Sequence, residues 1–78
     1  MRYQLDFILR RAEGVLPRVL GATERRGFRP LAVNGEAGAD GEQWRLRLTV
    51  EGERPDATLQ SQLAKLYDCL SVQVQPCP

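Results

Sequence analysis

Seventy-eight residues allow one small domain, and a chain of this size buries only about 60% of the surface its unfolded form exposes. Apolar residues at 42% and charged residues at 27% match a globular chain and argue against disorder. A net charge of +1 argues against a dedicated nucleic-acid or anionic-membrane binder, and the absence of histidine removes His-based triads and His-ligated zinc.

Residues 2–10 alternate. Tyr3, Leu5, Phe7 and Leu9 point one way, while Gln4, Asp6, Ile8 and Arg10 point the other. This is the period of a half-buried strand. Arg11 to Gly14 forms a polar turn. Val15, Leu16, Val19, Leu20 and Thr23 then fall at helical spacing. Pro17 is tolerated in the first helical turn, Arg25 and Arg26 suit the last turn, and Gly27 closes the helix. A second strand is expected over Phe28–Gly35, with Leu31 and Val33 on one face. Pro30 lacks a ladder donor and makes it an edge strand. Ala37–Glu42 reads as a loop or hairpin. Gln43–Glu51 is the clearest strand, with Trp44, Leu46, Leu48 and Val50 on one face and Arg45, Arg47 and Thr49 on the other. After a break at Gly52–Pro55, Asp56 is the expected N-cap of a second helix. Leu59, Leu63, Leu66, Tyr67 and Leu70 form its apolar stripe. Ser71–Gln75 alternates again, with Val72 and Val74 inward.

The order β-α-β-β-α-β, with one apolar face per element, specifies an α+β, ferredoxin-like βαββαβ sandwich. A four-stranded antiparallel sheet of order 4-1-3-2 carries both helices on one face. The opposite face stays open, with Gln4, Asp6, Ile8, Arg45, Arg47, Thr49, Gln73 and Gln75. Residues 1–78 are expected to form a single domain with its core over 2–75. No apolar run approaches the ~20 residues that span a bilayer, and the N-terminus lacks a signal-peptide pattern. Cys69 and Cys77 form no CxxC motif. Cys69 is expected as a small buried thiol and Cys77 as an exposed one. These features point to a reduced, cytoplasmic protein with no membrane and no nucleic-acid partner.

A fold of this kind hosts many functions. An RNA-binding sheet would need stacking aromatics on the open face, but Tyr3, Phe7 and Trp44 fall on the core face. A metal carrier would need a cysteine pair in the first βα loop, which reads Arg11-Ala12-Glu13-Gly14. Gly14-Val15-Leu16-Pro17-Arg18 resembles the last part of the acylphosphatase phosphate cradle. However, Leu9 stands where that cradle needs a glycine, and Asn34 is out of register for the family's asparagine. Arg18 is then expected as a solvent-facing helix residue.

The segment Gly14-Val15-Leu16-Pro17-Arg18-Val19-Leu20, followed by Arg25-Arg26-Gly27-Phe28, resembles the ACT-domain pattern. That pattern has a loop glycine, a helix with Leu and Arg-Val, and an R-R-G exit. Ser61-Gln62-Leu63-Ala64-Lys65-Leu66-Tyr67-Asp68, then Val72-Gln73-Val74, is similar to the second helix and last strand of acetolactate synthase small subunits, closest to the short isozyme II form. The similarity runs from Leu5 to Val74. It implies a non-catalytic regulatory subunit that activates a large catalytic subunit in branched-chain amino acid (valine and isoleucine) biosynthesis. Thiamine diphosphate, Mg²⁺ and FAD would belong to that partner, with no cofactor and no metal in this chain.

The resemblance places an amino-acid effector at the loop glycine, against a helix N-terminus that suits a carboxylate. Arg11, Gly14, Val15 and Leu16 are the candidate effector residues. Valine-sensitive relatives carry asparagine where Arg11 stands, so valine insensitivity is expected. A homodimer is expected through the edge formed by Pro30, Leu31 and Val33 together with the first helix. Arg45 and Arg47 are the candidate contacts to the large subunit. A free-standing domain sensing another amino acid is the alternative.

Overall fold

The period-two alternation of the N-terminal segment becomes strand β1, Arg2–Arg10. A computed structural model describes residues 1–53 and 56–77, and of residues 56–58 only the backbone. The expectation that Asp56 caps the second helix rests on its side chain, which lies outside the described residues. Helix α1 spans Val15–Arg25, β2 spans Arg29–Ala37, β3 spans Gln43–Glu51, α2 spans Asp56–Leu63 and β4 spans Cys69–Pro76. The sheet order is β2-β3-β1-β4 with every pairing antiparallel, the arrangement expected from the alternating faces.

One face of the sheet is sealed. Tyr3, Leu5, Phe7 and Leu9 of β1 lie beside Leu46, Leu48 and Val50 of β3 and Val72 of β4. Val15, Val19 and Ala22 of α1 and Leu59 and Leu63 of α2 complete this core. Thr23 is also buried, and its hydroxyl donates to the Val19 carbonyl at 2.9 Å, which removes the cost of an unpaired buried donor. Helix α1 ends in a paired cap. The Phe28 N–H reaches the Thr23 carbonyl and the Gly27 N–H reaches the Glu24 carbonyl, with Gly27 at φ 89°. That left-handed turn is one only glycine adopts cheaply. It delivers Phe28 into the core, edge-on to Tyr3 with ring centroids 5.7 Å apart.

Three boundaries differ from the sequence expectation. Strand β2 runs to Ala37, because Glu36 and Ala37 pair with Arg45 and Trp44, and the turn closes over Gly38–Glu42. Its register shifts between Pro30 and Ala32, placing Leu31 at a bulge. Helix α2 ends at Leu63, although the leucine spacing continues beyond it. Leu66 is half-buried in the following turns, Tyr67 is 86% exposed and Leu70 belongs to β4, so Tyr67 and Leu70 are not part of a helical stripe. Strand β4 begins at Cys69 rather than Ser71, because the Arg10 N–H takes the Asp68 carbonyl at 2.8 Å and draws the chain into the sheet early. Cys69 and Cys77 are free and partly exposed, and burial pushes the Cys69 thiol up.

The two sheet borders are treated differently. On β4 the outward N–H of Val74 is taken by the Gln60 side chain of α2 at 3.0 Å. Strand β2 contributes no buried side chain.

Gly52 follows β3 directly. A Cβ built on it would stand 2.4 Å from Cδ1 of the buried Phe28 and 3.1 Å from the Gly27 carbonyl. Gly52→Ala is therefore expected to destabilise the fold by about 1–3 kcal/mol through overpacking, read as a lowered urea midpoint. Adding Phe28→Leu to that variant should cost less than Phe28→Leu does in the wild type, since the two positions share one collision.

Candidate functional site

The loop between β1 and α1 holds the residues expected to receive an effector. Gly14 precedes α1 in the left-handed region, at φ 73° and ψ 10°. The Arg18 N–H bonds the Gly14 carbonyl and the Val15 N–H bonds the Ala12 carbonyl. Val15 is buried in the core and Leu16 is half-buried against it.

The space beside Gly14 is taken by Arg18. Its guanidinium would lie 3.0 Å from a Cβ on Gly14, and its Nη1 donates to the Glu13 carbonyl at 2.9 Å. Its Nε and Nη2 both donate to one carboxylate oxygen of Asp68, at 3.0 and 2.6 Å. The Asp68 side chain is 9% exposed and the Arg18 side chain 53%. Arg18 is thus not the free helix-surface residue expected from the sequence. It bridges residues fifty positions apart and fastens the start of α1 to the entry of β4. Asp68 escaped the sequence reading; the available signal was a lone acid within the apolar run Leu66–Leu70, where a charge needs a partner.

Arg11 points elsewhere. Its Nη1 donates to the Gly41 carbonyl at 3.1 Å and its guanidinium lies 5.6 Å from the Trp44 ring centroid. Gly14, Val15 and Leu16 are contiguous, but the Arg11 head group reaches the β2–β3 turn instead of joining them.

Pro30, Leu31 and Val33 all lie on β2. Leu31 is 45% and Val33 56% exposed, and Val33 pairs with the buried Leu48. Val33 therefore continues the helix-side surface past the point where the helices cover it.

The uncovered sheet face is ordered by the strand register. One row across it reads Ser71, Ile8, Arg45, Glu36; the next reads Gln73, Asp6, Arg47, Asn34. These rows line an open groove of about 510 Å³. Arg47 donates to Asp6 at 2.8 Å and Gln4 donates to the same carboxylate at 3.1 Å. Partial burial pushes the Asp6 carboxyl up, but the hydrogen bonds from Arg47 and Gln4 and the Arg47 charge together hold it below the ordinary value of 3.8. The Arg45 side chain makes no hydrogen bond or ion pair among the described residues. These residues likewise bring together no group of three or more acidic, cysteine or histidine side chains that could hold a metal.

The family profile of the ACT domain matches residues 11–72. The chain is an ACT domain. Among solved structures it resembles the C-terminal domain of the MgtC protein from Mycobacterium tuberculosis, at a TM-score of 0.73 and 15% identity, covering 97% of this chain and 86% of that one. That likeness concerns the fold. Comparison with curated protein sequences gives no match. The ACT assignment makes the chain a regulatory domain, and no helix among its described residues is long and apolar enough to cross a membrane.

Two predictions follow from the charge pairs of the ACT domain. Arg18→Met strands a buried carboxylate, whereas Asp68→Asn frees a guanidinium that can turn to water. Arg18→Met should therefore cost more, about 1–3 kcal/mol, measured by chemical denaturation. Equal costs would contradict the asymmetry. For Asp6, the depressed folded pKa means that the pair's stabilisation is present above the ordinary value of 3.8 and is lost as pH falls through the depressed value. The stability gap between wild type and Arg47→Met should be at most about 1 kcal/mol at neutral pH and should shrink below that range.

Proposed function

We propose that this ACT domain is the regulatory subunit of an acetolactate synthase, activating its catalytic subunit in branched-chain amino acid synthesis without making it valine-sensitive. The subunit assignment draws on the ordered residue similarity from Leu5 to Val74, now accompanied by the ACT family match over residues 11–72. The observation that carries the valine-insensitive reading is the Arg18 guanidinium beside Gly14. It occupies the place the family gives to an amino acid and is held there by Asp68 and the Glu13 carbonyl. The blocking group in this reading is Arg18, with Arg11 engaged at Gly41.

A domain whose loop site is filled by its own side chain acts through its surfaces. Docking shifts the catalytic subunit toward its active arrangement by the difference in affinity for the two arrangements, about 1.4 kcal/mol for each tenfold. Thiamine diphosphate, Mg²⁺ and FAD stay with the catalytic subunit in this reading, and the complex works in the cytoplasm. The domain pairs with a second copy through β2 and α1. The free backbone of β2 and the exposed Leu31 and Val33 support that border as the contact.

The decisive assay adds the purified chain to the candidate catalytic subunit and follows acetolactate formation. A rise in rate that persists when valine is present is expected. No rise would overturn the assignment, and inhibition by micromolar valine would overturn the insensitive reading. Val33→Glu should convert the dimer to a monomer in sedimentation, with an unchanged circular dichroism spectrum. A dimer that survives the change removes β2 from the interface.

A further inference from the structure

Asn34 and Gly35 are neighbours within β2. In an Asn-Gly pair the glycine nitrogen can attack the asparagine side-chain amide, because no Cβ on the second residue obstructs it. Three features of the fold leave this pair open to that reaction. The first is ladder parity. The Gly38 N–H bonds the Gln43 carbonyl at 2.8 Å, and hydrogen-bonded pairs recur at every second residue. Glu36, Asn34 and Ala32 therefore aim their main-chain groups at β3, while Gly35 turns its N–H out to the sheet border. No group among the described residues takes it there. The second feature is access, since Asn34 and Gly35 are both exposed. The third is a cheap opening: β2 lies at the border and contributes no buried side chain. The Asp40-Gly41 pair is differently placed. Its Gly41 N–H is held by the Gly38 carbonyl at 3.0 Å, and Oδ1 of Asp40 accepts from the Glu42 N–H at 3.0 Å. Packing favours glycine at position 35, where a Cβ would stand 3.3 Å from Cδ1 of the buried Leu46.

We propose that Asn34 is a site of spontaneous deamidation, whose isoaspartyl product takes β2 out of register. Water or hydroxide removes the Gly35 amide proton, and the nitrogen forms a bond to Cγ of Asn34. The Cγ–Nδ2 bond breaks and ammonia leaves, closing a succinimide. One water then opens that ring. Cleavage of the new Cγ–N bond gives aspartate, and cleavage of the original peptide bond gives isoaspartate. Ring closure bends the extended chain, so the reaction draws on the locally opened form of β2 and its rate follows the population of that form. In isoaspartate the main chain runs through the side-chain carbons and gains one backbone atom. That atom falls in the hydrogen-bonded pair of position 34 with Arg47, so the ladder cannot stay in step on both sides of it. Aspartate keeps the ladder but adds a carboxylate across from Arg47, whose guanidinium already serves Asp6. The proposal stands apart from the regulatory-subunit reading, because the reaction needs only this chain and water.

The test incubates the whole chain in mildly alkaline buffer without denaturant and maps its peptides. Isoaspartate at position 34 should accumulate, be labelled by an isoaspartyl methyltransferase, and form faster as pH rises from neutral. Position 40 should stay unlabelled over the same period. Asn34→Gln, an exposed change, should remove the label, since its longer side chain would have to close a larger ring. Gly35→Ala should slow labelling about tenfold or more, equivalent to roughly 1.4 kcal/mol in activation free energy. A wild type that stays unlabelled, or is labelled only in urea, overturns the proposal. Labelling of position 40 as fast as position 34 overturns the parity argument, and so does an unchanged rate in Gly35→Ala. The isoaspartyl fraction, separated by chromatography, should melt below the starting protein. An identical melting curve would show β2 still in register and remove the structural consequence.

Discussion

One side of β1 is closed to solvent: Tyr3, Leu5, Phe7 and Leu9 are each at most 3% exposed. Burial of a side chain of this size contributes roughly 1.5–3 kcal/mol as an upper figure, so these four positions outweigh any single polar contact in the molecule. Strand β1 pairs with β3 on one side and β4 on the other, and both partners inherit its facing. A slip of one residue would turn the apolar row toward water and bring Asp6 and Ile8 under the helices. The position of both helices and the polar character of the open face follow from that single choice of side.

Much of this was legible along the chain. The bounds of β3 and the composition of the open face could be read because a period of two is local and needs no partner. The edge position of β2 followed from Pro30. The length of α2 could not be read in the same way, since Leu66 and Leu70 continue the helical spacing past Leu63. Past Leu63 the Lys65 and Leu66 N–H groups turn back on the Gln62 and Leu63 carbonyls, and Asp68 is then held from afar, its carboxylate by Arg18 and its carbonyl by the Arg10 N–H. Neither partner lies within a window that periodicity can scan. The Leu31 bulge was hidden for a similar reason, because it is defined by pairing across strands. In the candidate loop site, the shape of the Gly14 turn was foreseeable, whereas the side chain that fills it depends on a contact between distant segments.

The Arg18–Asp68 pair ties the loop beside Gly14, which the ACT resemblance associates with ligand response, to the entry of β4. The guanidinium meets a carbonyl and a carboxylate of its own chain, so its own donors are engaged without any added molecule. Such a loop is pre-organised.

Gln60 has a bearing on assembly that extends beyond its own hydrogen bond. By taking the Val74 amide it spoils one flank of the sheet as a template for an incoming strand, while the β2 flank remains receptive. Edge-to-edge ribbons, the standing hazard of small sheet proteins, are thus disfavoured on the β4 side by one glutamine reaching across from a helix.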